Sequence, residues 1–242
     1  MSLKFSFINH SELEGTHALF SPSQSSWLRY DEEQIAGRVL SQYRAPIGTE
    51  IHEYAAMRID NSHKVTNIKA LVQGIEEYIY TKYKFLSPNL KVPDYYQKLI
   101  ENVGLLPRDV FETVRSYIND GIFFKMVTEQ PIKYSERIYG TADTIAFRES
   151  VGSNSKKYFL RIHDLKTGST DSRMEQLATY AALFCLEYGP IYGFKPSEIE
   201  YELRMYKNNE IIIDNPTFEV IDSIIDGIIR TEKVANKYSK ED

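Results

Sequence analysis

The sequence predicts an α/β (α+β) fold, a sheet domain carrying an N-terminal helical layer. Three observations predict it. Up to about residue 125 apolar residues recur mostly at helical period. Around Met126 the texture changes to short segments rich in β-formers. From there the elements read β-β-β-α-β-β-α, an order suited to helices packed on a sheet. We expect a single domain over residues 1–242, with 1–125 a mainly helical elaboration carrying His52 and 126–242 the sheet core.

Each element has its own signal. Residues Pro46 to Ile59 read as one helix, and Ile68, Leu71, Val72, Ile75 and Ile79 mark the next. "SPNLKVPD" breaks the pattern. A further helix is expected from Pro107 to about Lys125, with Pro107 in the first turn and Val110, Phe111, Val114 and Ile118 on one stripe. "MVTEQPIKY", "RIYGTADTIAF" and "KYFLRIHDL" read as strands. "DSRMEQLATYAALFCLEYG" reads as a helix stopping at Gly189-Pro190. "EIEYELRMY" and "EIIID" form a strand pair about Lys207-Asn208-Asn209. Asn215-Pro216 caps a last helix with Phe218, Ile221, Ile225, Ile228 and Ile229 inward.

Composition narrows the function classes. The apolar fraction of 42% and aromatic fraction of 13% suit a packed globular protein. No signal-peptide pattern or membrane-length apolar run is visible, so a cytoplasmic protein with no membrane partner is expected. Cys185 is the lone cysteine. It reads as a buried thiol and excludes a disulfide framework, a cysteine-rich zinc site and an iron–sulfur cluster.

The stretch "YFLRIHDLKTG" carries the chemistry. Side chains alternate across a strand, so Tyr158, Leu160, Ile162, Asp164 and Lys166 share one face. Thr141, Asp143, Ile145 and Phe147 share a face of the preceding strand. The turn signal "ESVGSNSKK" lies between. A hairpin symmetric about Ser153-Asn154 sets Asp143 opposite Asp164, with side chains about 5 Å apart. Two unpaired carboxylates there would repel, and a divalent cation removes the repulsion. Lys166, one step beyond, is placed to contact a phosphate or a metal-bound water. A surface ion pair between Asp164 and Lys166 is the competing reading.

Two further features lie outside the hairpin. Gln176 and Tyr180 are four apart on the following helix and share a face that can reach the carboxylate end of the hairpin. His52 lies in a helix whose Ile51 and Ala55 face inward. Taken alone, it reads as a packed core or surface residue.

Together "GTEIHEYA", "GTADTI", "HDLKTG" and "QLATY" fall in an order that resembles the RecB-like branch of the PD-(D/E)xK nuclease superfamily, which includes phage exonucleases and Cas4-type nucleases. "ALFSPSQSSWLRYDEE" is similar to the N-terminal segment of phage-type members, where Ser-Pro-Ser precedes a short helix. The resemblance covers residues 18 to 187. The chain departs from the branch in three ways. No proline precedes Asp143, the cluster cysteines are absent, and the gap from Lys166 to Gln176 is short.

The resemblance implies a restriction-endonuclease-like core, a central mixed sheet flanked by helices, and a metal-dependent DNA nuclease, with exonuclease favoured. By it Asp143, Asp164 and the Leu165 carbonyl would bind Mg²⁺ or Mn²⁺, and His52 would add a ligand from the helical layer. Lys166 would orient or deprotonate the attacking water. Gln176 and Tyr180 would hold the lysine and the DNA backbone, and Glu129 is a weaker candidate acid. Glu53 is expected to be exposed and His163 to pack on the opposite strand face. The implied partner is DNA, with a recombination or single-strand-binding or annealing protein as a further one, and an oligomer is compatible. A phage-encoded chain would work in the host cytoplasm. The net charge of −5 argues mildly against a polyanion partner. A local basic track is therefore sought at Arg137, Arg148, Lys156, Lys157, Arg161 and Arg173. The competing function is a catalytically silent nuclease-fold protein that binds DNA or a protein partner.

Overall fold

The helical period of the first half becomes four helices in the computed structural model, which describes residues 22–86, 94–150, 156–168 and 173–238. They are α1 (Glu32–Asp60), α2 (Ile68–Leu86), α3 (Asp94–Gly104) and α4 (Arg108–Phe123). The chain divides into two compact units, residues 1–46 and 47–242. In the first, a 3-10 helix over Pro22–Arg29 precedes α1. There the Gln34 N–H donates to Asp31 Oδ1 (2.8 Å) and the Asp31 N–H to Gln34 Oε1 (3.0 Å), a reciprocal start to α1. Helix α1 begins well before the expected Pro46. Pro46 lies inside it, and the division between units falls there.

In the second unit, Ile47, Ile51, Tyr54, Ala55 and Ile59 form the buried stripe of α1, and Leu71, Ile75 and Ile79 that of α2. Helix α3 has no counterpart among the expected elements. Its Leu99 and Val103 are buried, four apart on one face. Pro107 stands just before α4 as its cap residue rather than in its first turn. Phe111, Val114 and Ile118 are buried as their spacing predicts.

The sheet order is β1 (Val127–Lys133), β2 (Tyr139–Glu149), β3 (Tyr158–Lys166), β4 (Ile199–Lys207) and β5 (Glu210–Asp214). Only β3 and β4 pair in parallel, joined through α5 (Met174–Tyr192). Strand β3 is buried from Leu160 to Leu165, as a central strand covered on both faces must be. Leu160 and Ile162 pack in a core with α5 and α6 (Phe218–Tyr238), whose Ile221, Ile225 and Ile228 are buried. On the other face Arg161 and His163 lie against Phe124, at the end of α4. Among the described residues the second half is thus the expected β-β-β-α-β-β-α, and the fold is α+β with a mixed five-stranded sheet.

One further element end and one core position differ from expectation. Helix α5 runs past Gly189-Pro190 to Tyr192, and Gly193, at φ 73°, closes it with its N–H on the Gly189 carbonyl. Gly189 is there because a Cβ would lie 3.1 Å from the Phe194 carbonyl oxygen. Ile229 points outward, 41% exposed, one position off the α6 stripe. The β4–β5 turn is as expected, with Asn208 and Asn209 both at positive φ and Lys207 paired with Glu210, the form of a two-residue hairpin. Among the described residues no helix is long and apolar enough to cross a membrane.

Candidate functional site

The β2–β3 register runs Glu149 with Tyr158 through Thr144 with His163. The pairing ends there, one step short of the aspartates; the same register continued would set Asp143 against Asp164, as symmetry about Ser153-Asn154 predicts. The turn itself lies outside the described residues. Asp143 Oδ2 accepts from the Leu165 N–H at 3.0 Å. Leu165 thus engages the site through its amide, while its side chain is fully buried. Lys166 Nζ donates to Asp164 Oδ1 at 3.0 Å. The Asp164–Lys166 ion pair and the action of the Asp143 charge on Asp164 therefore occur together, and neither reading of the triplet excludes the other.

Asp164 is buried, and its Oδ2 has no hydrogen-bond partner. Burial and then repulsion from Asp143 hold its carboxyl above the usual aspartate range, against the opposing pull of Lys166 and His52. An orphaned, buried carboxylate oxygen costs free energy unless a cation or donor meets it.

Helix α1 brings His52 to this end of the hairpin. Its Nδ1 lies 3.4 Å from Asp143 Oδ2. Close approach explains the preceding glycine, since a Cβ at Gly48 would sit 3.0 Å from Thr167 Oγ1, just beyond β3. The neighbouring acids on α1 are not free. Glu50, buried, and Glu53, partly exposed, share Lys82 of α2, with Tyr83 donating to Glu50 and Tyr78 to Glu53. The Glu53 side chain is 42% exposed, in line with expectation, and also joins this ion-paired lock between helices.

Glu129 is closer to the centre than its sequence signal suggests. It lies in β1 where the register with β2 puts it against Asp143, between the pairs Thr128–Thr144 and Gln130–Ala142. Its φ is 45°, a left-handed conformation that strands avoid and that costs about 1–2 kcal/mol. One ligand atom each from His52, Glu129 and Asp143 lie within 4.8 Å of one another. Asp164 stands outside this trio. Burial and then Asp143 raise the Glu129 carboxyl, and His52 opposes them.

Gln176 and Tyr180 join from α5. Their side chains hydrogen-bond, and the charges of Asp143, Asp164 and Lys166 all act on the Tyr180 hydroxyl, which burial raises above the usual tyrosine range. Tyr180 lies on β2 at Gly140, where a Cβ would be 2.9 Å from Tyr180 Cε1. Tyr117 of α4 lies behind the carboxylates, fully buried. Burial and then Asp143 push its hydroxyl well above the usual value, with a Thr144 hydrogen bond opposing. Sequence reasoning missed it; its only signal was a position beside the Val114 and Ile118 stripe.

His163 packs on the opposite face as expected. Its ring meets Tyr206 and Phe124, and both nitrogens are buried without partners. The basic track sought around the hairpin does not form. Arg161 is buried on that same opposite face, bonded to Glu202 at 2.6 Å and stacked on Phe124. Arg137 pairs with Glu232 and Lys157 with Glu198, and Lys156 donates to the Ser197 carbonyl. Arg148 and Arg173 are exposed. Strand alternation puts Arg148 and Arg161 on the face away from Asp164, and the other four lie outside the strands.

The arrangement joins an imidazole and three carboxylates with an amine at one end of a hairpin. Comparison of the chain with protein-family models, curated proteins and solved structures finds no match.

Proposed function

We propose that the chain is a metal-dependent DNA nuclease that hydrolyses phosphodiester bonds, an exonuclease of the RecB-like, phage type. One observation carries this reading: His52 and the Leu165 amide both meet Asp143, whose charge acts on the buried Asp164 carboxyl that Lys166 bonds. The motif resemblance supports it, and the preference for exonuclease comes from that resemblance alone.

A divalent cation fits the donor set. The orphaned Asp164 Oδ2, the mutual repulsion of Asp143 with Asp164 and Glu129, and the adjacent imidazole all favour a positive charge at this spot. Asp143, Asp164 and His52 would hold Mg²⁺ or Mn²⁺, with Glu129 as a further carboxylate. When bound, the ion supplies Lewis-acid chemistry to water and phosphate.

The chain's own groups do the rest. Lys166, held at 3.0 Å by Asp164, presents an amine that orients or deprotonates water and offsets charge growing on the phosphate. Gln176 hydrogen-bonds Tyr180, which orients the tyrosine hydroxyl within the field of Lys166, where it would contact a DNA backbone. The Leu165 amide fixes the rotamer of Asp143.

Digestion of linear and circular DNA in Mg²⁺ or Mn²⁺, with Lys166→Ala beside the wild type, tests the proposal. Loss of linear DNA alone, abolished in the variant, is expected. Digestion of neither substrate, with DNA or partner binding intact, would leave the silent binding protein.

A further inference from the structure

Strand β1 covers only part of β2. Their pairing ends at Val127 with Ile145, while β2 continues to Glu149. From Ala146 on, β2 is paired with β3 on one side. Along its other edge, among the described residues, no strand pairs. A groove of about 440 Å³ lies at this edge. A volume of that size is within the usual range for ligand sites.

The groove has two different walls. Phe147 shares the face of Leu160, its cross-strand partner, and with Phe184 and Tyr188 of α5 it forms an aromatic wall. On the other face Arg148 lies opposite Phe159, beside Phe124 and Lys125 at the end of α4. Phe124 is held in place by the Arg161 guanidinium, 3.4 Å from its ring centre. The charged residues lining the groove are Lys125 and Arg148, both cations. No acid lines it among the described residues.

We propose that this groove binds an extended acidic–apolar peptide segment of a partner protein, which adds to the sheet as a strand on the open edge of β2. Three features select that occupant. Unpaired strand edges are satisfied by another backbone in extended form. Side chains of an added strand alternate, so one set meets the aromatic wall and the other meets Arg148 and Lys125. The two unopposed cations call for carboxylates on that second set. The inference is independent of the nuclease reading, since none of its residues belongs to the carboxylate site.

A fluorescein-labelled peptide of alternating aspartate and apolar residues (Asp-Val-Asp-Phe-Asp-Val) is the probe, read by fluorescence anisotropy on the full chain. The wild type binds it, and the same peptide with lysine for aspartate does not bind. Arg148→Glu, an exposed position that leaves the fold intact by thermal melt, weakens binding at least about tenfold. Tyr188→Ala weakens it from the other wall. Hydrogen exchange slows at residues 146–149 when peptide is added. Absence of binding, binding indifferent to Arg148→Glu, or protection elsewhere would overturn the proposal. So would labelled oligothymidylate binding that alone responds to Arg148→Glu, which would assign the groove to nucleic acid.

Discussion

Asp164→Asn should make the protein more stable while disabling its site. Asp164 is buried, feels the charge of Asp143, and carries an oxygen with no partner. Taken at the roughly 5 Å spacing of directly opposed side chains, two carboxylates repel by up to about 3 kcal/mol at an effective dielectric constant of about 20. The ion pair with Lys166, whose side chain is partly exposed, returns about 1 kcal/mol. Asparagine keeps the shape and loses the charge, so the net gain is about 2 kcal/mol. For a chain of this size that raises the melting temperature by about 4–8 °C. The sign follows from the raised carboxyl of Asp164. Its stabilising contribution is complete below the unfolded value near 3.8 and is lost as pH rises through the folded value. The advantage of the variant should therefore be small in acid and full at neutral pH. Thermal unfolding in EDTA at pH 7.5 is the assay. Repeating it in Mn²⁺ should narrow the gap, because only the wild type gains strongly from the ion. A variant that melts at or below the wild type in EDTA would show that the two carboxylates do not repel across the strands. The claim that they share a charge problem would then be wrong.

Three further perturbations probe other parts of the arrangement. Gly140→Ala puts a Cβ 2.9 Å from the Tyr180 ring and should cost about 1–3 kcal/mol by denaturant melt and, on the proposed nuclease reading, reduce DNA cleavage as Tyr180 shifts. Glu129→Gly removes the penalty of the left-handed φ and should raise stability by about 1 kcal/mol in EDTA, while isothermal titration shows weaker Mn²⁺ binding. His163 is held neutral, its pKa pushed well below 6.5 by burial and then by Arg204 and Arg161. Stability should therefore fall by up to about 1.4 kcal/mol per pH unit below pH 6.5, and His163→Phe should flatten that slope in urea melts at pH 5 and 7.

The parts of this molecule that were legible in the sequence are those set by strand parity and turn symmetry. Asp143 and Asp164 are equidistant from Ser153-Asn154, so a symmetric hairpin pairs them whatever surrounds it. The Asn208-Asn209 turn and the stripe of α6 are equally local. Other parts depend on a neighbour the pattern does not contain. Nothing in "VTEQPIK" shows that Glu129 turns to positive φ, or that its carboxylate comes beside Asp143 and His52, which lie far off in the chain. Helix α3 is only 11 residues long, and its two buried positions gave too few repeats to register. Gly189-Pro190 looks like a helix end, yet Gly189 answers to Phe194 and the helix continues for three more residues. Arg161 was grouped with the hairpin cations by position in the chain, although period two puts it with His163, away from Asp164.

The same reasoning explains why four weak motifs form one object. The glycines of "GTEIHEYA" and "GTADTI" do not serve turns. Gly48 lets α1 approach Thr167 at the end of β3, and Gly140 lets the Tyr180 ring lie on β2. Each glycine therefore ties its own motif to another one: the histidine helix to the Asp-Leu-Lys strand, and the Gly-x-x-Asp strand to the Gln-x-x-x-Tyr helix. His52 is one turn beyond Gly48 on α1, so any residue that lifts the helix from Thr167 also withdraws the imidazole from Asp143. Gly48→Ala, with its Cβ 3.0 Å from a hydroxyl on a short side chain, is the mildest such change. It should leave the melt nearly unchanged in EDTA and reduce the Mn²⁺-induced rise in melting temperature. An equal rise in both proteins would mean that the imidazole takes no part in holding the ion.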